Sequence, residues 1–215
     1  MATKSARKAG LLLGGVLLAA AAFGAGPAAA QTIVDEWSSV KTPPPPPLKP
    51  VTADPKTTAF LVLDLLKQSC NEQTPRCAAS LPKVAKFLGE ARAHNMPVIY
   101  SLTTGHTLKD VADQIAPIGD EPAVLSHADK FVGTDLEKIL KDRGVTTVIV
   151  VGTTAQGAVL YTASHAAFLG FKVVVPVDGS TAVDPFAELA TTWTLANAPF
   201  VNTMTTLTRF DMIGW

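Results

Sequence analysis

The sequence predicts an α/β protein in which helices cover both faces of one mostly parallel, doubly wound sheet of six strands, giving three layers. Short runs of β-branched and apolar residues recur from about residue 58 and alternate with longer segments typical of helices. Runs without polar alternation are typical of strands that are buried on both faces, as parallel strands are. A chain of 215 residues, 47% of them hydrophobic, is long enough for one domain with a sizeable core.

Four strands and four helices can be placed along the chain. The first strand is an apolar run that ends in an acid, Asp64. The predicted strands are 59–64, 97–102, 147–152 and 172–178, and the predicted helices are 81–95, 135–143, 156–169 and 184–196. Gly144 and Gly170 stand directly after two of these helices, where C-cap glycines occur. Alternation of strand and helix predicts a parallel sheet.

The N-terminus has the pattern of a cleaved secretory signal. Three basic residues precede an apolar run at 11–23, and small residues at 28–30 follow it. The run is too short to cross a bilayer comfortably, since a spanning helix needs about 20 apolar residues. We therefore predict a signal peptide at 1–30 and a periplasmic or secreted protein that is mature from about Gln31, with no membrane attachment after cleavage.

A proline-rich arm at 31–57 separates the signal from the domain at 58–215. It contains five consecutive prolines at 43–47, which enter neither a helix nor a central strand and favour polyproline II. The composition leaves open whether the arm is a tether or a strap over the domain or a neighbouring subunit. We expect a homo-oligomer.

Charge and cysteine content narrow the function classes. Signal cleavage would leave 15 basic residues against 18 acidic ones, which does not favour nucleic acid as a partner. Cys70 and Cys77 are the only cysteines. In an exported protein we favour a disulfide between them over a metal site or a catalytic thiol, because zinc would need further ligands nearby.

The functional residues are expected at one edge of the sheet. Ligands of doubly wound sheets bind outside the carboxyl ends of the strands. In this sequence that edge holds Asp64, the segment 101–104 and the segment 152–158.

Three stretches together resemble the isochorismatase-like (cysteine hydrolase) family, which has a Rossmann-like fold. They are LVLD at 61–64, KFVGTDL at 130–136 and VIVVGTTAQGAVLYTASHAA at 148–167. The resemblance covers about 57–211, and any one stretch alone would be weak. It leads us to expect a strand order resembling 3-2-1-4-5-6.

The resemblance implies a general acid/base at Asp64, which could otherwise be an ordinary turn or capping aspartate. The family's catalytic lysine would fall on Leu125. Lys130 is either its replacement, acting on Asp64 or on developing negative charge, or a solvated loop residue. The nucleophile's position falls on Ala158, six residues after Gly152, so a thioester mechanism is excluded there.

The resemblance also implies an oxyanion hole. Backbone amides around Thr154 and Ala158 would form it, next to a cis peptide between Thr153 and Thr154 and at a helix N-terminus. Gln156 and His127 are further candidates for substrate binding. The metal-binding variants of the family use an Asp and two histidines where this sequence has only His106, so we expect neither a metal nor another cofactor.

Two functions follow, and a third is weaker. The first is a hydrolase that acts on a small molecule through Asp64 without a cysteine. The alternative is an inactive protein of the same fold that binds a small metabolite. A structural or partner-binding protein is supported only by the proline arm. Lys130 within salt-bridge reach of Asp64 in a closed pocket would favour the hydrolase, whereas a Lys130 that points to solvent would favour the binding protein.

Overall fold

A computed structural model of the chain describes residues 1–2 and 32–215. The predicted signal peptide at 1–30 lies outside the described residues, apart from its first two positions. The chain divides into two compact units, Met1–Pro43 and Pro44–Trp215. The described part of the first unit contains one short helix, α1 (Ile33–Glu36). Among the described residues, no helix is both long enough and apolar enough to cross a membrane.

The second unit contains nine strands and five further helices. In chain order they are β1 (Val51–Thr52), β2 (Thr58–Leu63), α2 (Pro75–Ala93), β3 (Val98–Leu102), β4 (Ala123–Leu125), α3 (Leu136–Asp142), β5 (Thr147–Thr153), α4 (Leu160–Phe168), β6 (Lys172–Pro176), β7 (Ser180–Thr181), α5 (Pro185–Asn197), α6 (Val201–Met204), β8 (Thr205–Thr208) and β9 (Ile213–Gly214). A π-helical turn at Ala155–Val159 joins β5 to α4.

The main sheet has seven strands, and six of them follow one another in the order β4-β3-β2-β5-β6-β8, with every pair parallel. Counted along the chain, this is the predicted order 3-2-1-4-5-6, so the predicted fold is confirmed. The short strand β7 pairs with the end of β5. The sequence had located four of the six strands, and β4 and β8 are the two that it had not placed.

The core lies on both faces of this sheet, which explains the continuous apolar runs. Along β2, Phe60 and Val62 belong to one buried cluster, and Leu61 and Leu63 belong to the other. On the first face the ring of Phe87 from α2 lies 5.1 Å from that of Phe60. Helices α3, α4 and α5 cover the second face with their buried residues. The protein therefore has the predicted three layers.

Two predicted helices differ in extent from the observed ones. The helix predicted at 81–95 begins six residues earlier, because Pro75 occupies the first turn, where the missing N–H costs nothing. The helix predicted at 156–169 is divided into the π-helical turn and α4. Gly144 and Gly170 end their helices at φ 68° and 89°, as predicted for C-cap glycines.

The later part of the proline-rich arm, residues 44–53, forms a strap on the domain. The amide of Lys49 donates to the carbonyl of Leu207 (2.9 Å), and Val51 pairs in parallel with Ile213 near the C-terminus. The last residue of the chain, Trp215, stacks on Phe87 at a ring distance of 5.4 Å. The strap and the C-terminus thus hold each other against α2.

Candidate active site

A cleft of about 490 Å³ opens at the carboxyl edge of the sheet, where ligands of this architecture bind. It lies between the ends of β2, β3 and β5 and the turn that precedes α4. Its walls are neutral apart from one acid and one histidine. The lining residues are Asp64, Ser69, Thr74, Thr103, His127, Ala128, Thr153, Thr154, Gly157, Ala158 and Val183.

Gly152 allows the two central strands to meet at this edge. It pairs with Leu63 across β2 and β5, at φ 148°. A Cβ atom at this position would stand 2.2 Å from the backbone oxygen of Leu63. Only glycine permits that approach, and the approach brings the turn at 153–158 beside Asp64.

Asp64 follows β2 directly, in a backbone conformation that turns the chain sharply. Its φ is 52°, in the left-handed region, and 6% of the residue is exposed. The hydroxyl of Ser101, at the same edge on β3, donates to Oδ1 at 2.7 Å. The Nζ atom of Lys130 lies 2.6 Å from Oδ2. Each carboxylate oxygen therefore has a fixed partner, and the group has one defined orientation in the cleft.

Lys130 is the residue whose placement the sequence had left open. It is fully buried, and its ammonium also donates to the backbone carbonyls of Ser126 (3.4 Å) and His127. Three acceptors match the three N–H bonds of an ammonium. A buried charge is tolerated when it is paired and hydrogen-bonded in this way. Lys130 is thus a partner of Asp64 and not a solvated loop residue.

The turn between β5 and α4 places backbone N–H groups beside Asp64. The peptide between Thr153 and Thr154 is cis, as the resemblance implied. Thr154 and Ala158, whose amides the resemblance assigns to the oxyanion hole, both line the cleft together with Asp64. Ala158 lies in the same turn, one residue before the last of its π-helical residues, and 4% of it is exposed. The start of α4 adds the positive end of a helix dipole, which favours an anion there.

A thiol is missing from the cleft. Ala158 occupies the position that the resemblance assigns to the nucleophile, and its methyl group cannot attack a carbonyl. The only two cysteines of the chain, Cys70 and Cys77, are joined in a disulfide with Cα atoms 4.8 Å apart. The predicted pairing is present, and it leaves no free cysteine for catalysis.

The other predicted binding residues are only partly brought together. His127 is exposed and lines the cleft, and its carbonyl holds Lys130. Gln156 is exposed but is not among the residues that line the cleft, so the expectation that it binds substrate finds no support in the geometry.

Sequence reasoning missed two supports of the site. Ser101 lay in the segment expected at the sheet edge, but nothing in its strand singled it out as the partner of Asp64. The Nδ1 atom of His165 donates a hydrogen bond to Oδ2 of Asp129 at 2.7 Å, on the loop that carries Lys130. Such pairs are set by tertiary contacts between distant segments, 37 residues apart for Ser101 and Asp64 and 36 for His165 and Asp129, which no local pattern reveals.

Within the described ranges, no group of three or more His, Cys, Asp or Glu side chains is arranged to hold a metal ion. Both ring nitrogens of His106 instead contact neighbouring side chains. Its Nδ1 lies 2.9 Å from the hydroxyl of Thr103, and its Nε2 contacts the amide of Gln68.

Comparisons with known proteins agree with this architecture. Residues 58–208 match the family model of the isochorismatase domain. A secreted isochorismatase effector of Verticillium dahliae is 26% identical over 142 residues, which cover 60% of this chain and 75% of the effector. An uncharacterized isochorismatase family protein of Escherichia coli O157:H7 is 29% identical over 152 residues, covering 59% of this chain and 81% of that protein.

Among solved structures, a cysteine hydrolase from Pseudomonas syringae pv. phaseolicola superposes with a TM-score of 0.66 and 21% identity, covering 77% of this chain and 94% of the hydrolase. At that identity the likeness concerns the fold. The family match covers well over half of the sequence. It includes both central strands, the loop that carries Lys130 and the turn at 153–158. The chain belongs to the isochorismatase family.

Proposed function

We propose that this protein is an exported hydrolase that acts on a small molecule through general acid/base chemistry at Asp64. Backbone amides of the turn at 153–158 would stabilise negative charge on the substrate, and no cysteine nucleophile takes part. One observation carries the proposal. Lys130, five positions from where the family resemblance placed the lysine, still delivers its ammonium to Asp64 inside the protein.

The buried pair favours catalysis over simple binding. Burying an ammonium and a carboxylate together is at best close to neutral for stability, because both lose their hydration. A protein that only binds a neutral metabolite has no need for such a pair at the bottom of its cleft. A proton-transfer site does need one, because the lysine compensates the charge of the acid as it gains and loses a proton.

The geometry suggests a sequence of proton transfers with water as the nucleophile. A vinyl ether would first take a proton from the acid form of Asp64 on its terminal carbon, and water would then add to the resulting oxocarbenium carbon and return a proton to Asp64, leaving a hemiacetal that breaks down to an alcohol and a carbonyl compound. In an ester or amide, Asp64 accepts a proton from water while the water oxygen attacks the carbonyl carbon. Negative charge that develops on the substrate oxygen is held by the amides of Thr154 and Ala158. Asp64 then returns the proton to the leaving group, so that one water is added across the cleaved bond and the enzyme is restored.

The substrate we propose is small and uncharged. Within the described residues, no arginine or lysine lines the cleft, and Lys130 is buried behind Asp64. An anionic substrate would therefore face the charge of Asp64 without a cation of its own, and like charges brought together disfavour binding. Esters, amides and vinyl ethers without a carboxylate fit these walls better than a dicarboxylate does.

Export is supported by two observations and remains part of the proposal. The disulfide between Cys70 and Cys77 is typical of oxidising compartments. One relative is described as a secreted effector. Both agree with the signal peptide predicted from residues 1–30.

The proposal is tested by screening the purified protein against neutral esters, amides and vinyl ethers and by comparing Asp64→Asn with the parent. The substitution preserves shape and removes proton transfer, so turnover should fall by about 10²–10⁴-fold. Asp120→Asn is the matched control, since Asp120 is exposed and is not among the residues that line the cleft, and it should keep full activity.

Two results would decide against the hydrolase. Unchanged turnover in Asp64→Asn would remove Asp64 from the mechanism. If no compound of these classes is turned over, and a small metabolite instead raises the melting temperature by binding the folded state, the inactive metabolite-binding protein takes its place.

A further inference from the structure

The loop at 126–134 carries Lys130 but has no regular secondary structure of its own. Even so, Lys130 is fully buried within it. A loop of this kind opens easily unless side chains fasten it, because few backbone hydrogen bonds oppose its opening. An open loop would let water hydrate the ammonium and withdraw it from Asp64.

One fastening is a pair of titratable side chains next to Lys130. The Nδ1 atom of His165 on α4 lies 2.7 Å from Oδ2 of Asp129. The other oxygen of Asp129 accepts the backbone N–H of Phe131 at 3.0 Å. The ring of Phe131 packs against that of His165, with centroids 5.0 Å apart. The residues on either side of Lys130 are therefore both tied to one histidine.

A second fastening comes from the same face of α4, one helical turn earlier. The hydroxyl of Thr162 accepts the backbone N–H of Lys130 itself at 3.1 Å. The hydroxyl of Thr134 donates to the carbonyl of Lys130 at 2.6 Å, which closes the loop on itself. Thr162 is fully buried, whereas His165 is about one-third exposed in its side chain, so the histidine forms the outer edge of the contact.

We propose that His165 and Asp129 are positioning residues that clip the loop at 126–134 to α4 and so hold Lys130 against Asp64. The importance of the clip for turnover rests on the proposed function, whereas its effect on Lys130 does not. Because α4 begins directly after the turn that carries Thr154 and Ala158, one helix then sets the distance between the lysine and the anion-binding amides. Each clip contact acts through Lys130 and none touches the cleft.

The clip is tested without a substrate, by the accessibility of the Lys130 amine. The folded protein is treated with N-hydroxysuccinimidyl acetate, and acetylation of each lysine is followed by mass spectrometry. In the parent, Lys130 should react far more slowly than the exposed Lys138. His165→Leu keeps the bulk but removes the hydrogen bond to a carboxylate, and should make Lys130 acetylate about tenfold faster or more.

Rescue by a conservative variant separates positioning from general packing. In His165→Asn the amide nitrogen takes the place of Nδ1, so the bond to Asp129 is kept and Lys130 should stay protected as in the parent. His94→Leu is the matched control, because His94 stacks on Trp215 away from the loop and should leave Lys130 unchanged. The other lysines report any global loosening.

The outcomes distinguish the clip from the proposed function. Lys130 that is equally protected in His165→Leu and in the parent overturns the clip, whatever Asp64→Asn does to turnover. If His165→Asn exposes Lys130 as much as His165→Leu does, the hydrogen bond is not what holds the loop, and the clip is again wrong. If Lys130 becomes exposed in His165→Leu but not in His165→Asn, the clip is supported. This holds even if Asp64→Asn leaves turnover unchanged and so contradicts the proposed hydrolase.

Discussion

Asp64 and Lys130 form one buried pair, but different parts of the fold hold them in place. An acid at the end of a buried strand has its position fixed by the strand itself. Lys130 lies on an irregular loop, so the direction of its side chain depends on tertiary contacts with Thr162 and the carbonyls of 126–127. Spacing along the sequence identified Lys130 as a candidate, but it could not predict the path of the loop or the direction of the lysine side chain.

Gly152 is the position at which adding a single methyl group should lower the stability of the fold most. In Gly152→Ala the new Cβ would overlap the backbone of Leu63, which cannot move without separating the two central strands. We expect the free energy of unfolding to fall by about 3 kcal/mol, the upper range for overpacking, in urea denaturation.

Gly89→Ala is the matched control for this substitution. Gly89 lies in the interior of α2, and a Cβ atom there meets nothing within 4 Å. Removing glycine from a helix should raise stability by about 0.5–1 kcal/mol. Equal effects of the two substitutions would mean that the approach of β2 and β5 is looser than the distance of 2.2 Å indicates.

At the scale of elements, the sequence succeeded where burial is continuous and failed where it is not. The central strands were placed to within one or two residues because both of their faces are apolar. Strand β4 has only three residues, and β8 reads TTLT, so neither carries a long apolar run. The start of α2 was missed because Pro82 interrupts the pattern, although buried residues continue on one face from Cys77 through Leu81 to Val84.

The disulfide anchors the beginning of α2, and its loss should be measurable. Cys70 and Cys77 are seven positions apart, and closing so short a loop restricts the unfolded chain by about 2.5 kcal/mol in the chain-entropy account. We expect the double variant Cys70→Ala/Cys77→Ala to lose about that much in urea denaturation. Dithiothreitol should bring the parent to the same midpoint and leave the variant unaffected, whereas a parent that resists this shift would contradict the prediction.

At the scale of the molecule, the strand order and the three layers followed from the alternation of strands and helices together with the family resemblance. The position of the proline-rich arm could not be predicted in this way, because the contacts of a proline-rich segment leave no periodic pattern in the sequence. Self-association stays a prediction. The stacked rings of Phe168 and Phe200, 5.9 Å apart and more than half exposed, provide an apolar surface on which it could occur.

The strap at 44–53 should contribute to the stability of the whole domain and not only cover its surface. Its residues donate two backbone hydrogen bonds, from Lys49 to Leu207 and from Ala53 to Gly214 (2.8 Å), and Ala53 is buried. Two hydrogen bonds and the covered apolar surface together are worth about 2–4 kcal/mol. A chain that starts at Asp54 should therefore unfold at a lower urea concentration than one that starts at Pro44. In the longer chain, Lys49→Pro removes only one donor and should cost about 1 kcal/mol. Equal midpoints for the two truncated chains would show that the arm rests on the domain without stabilising it.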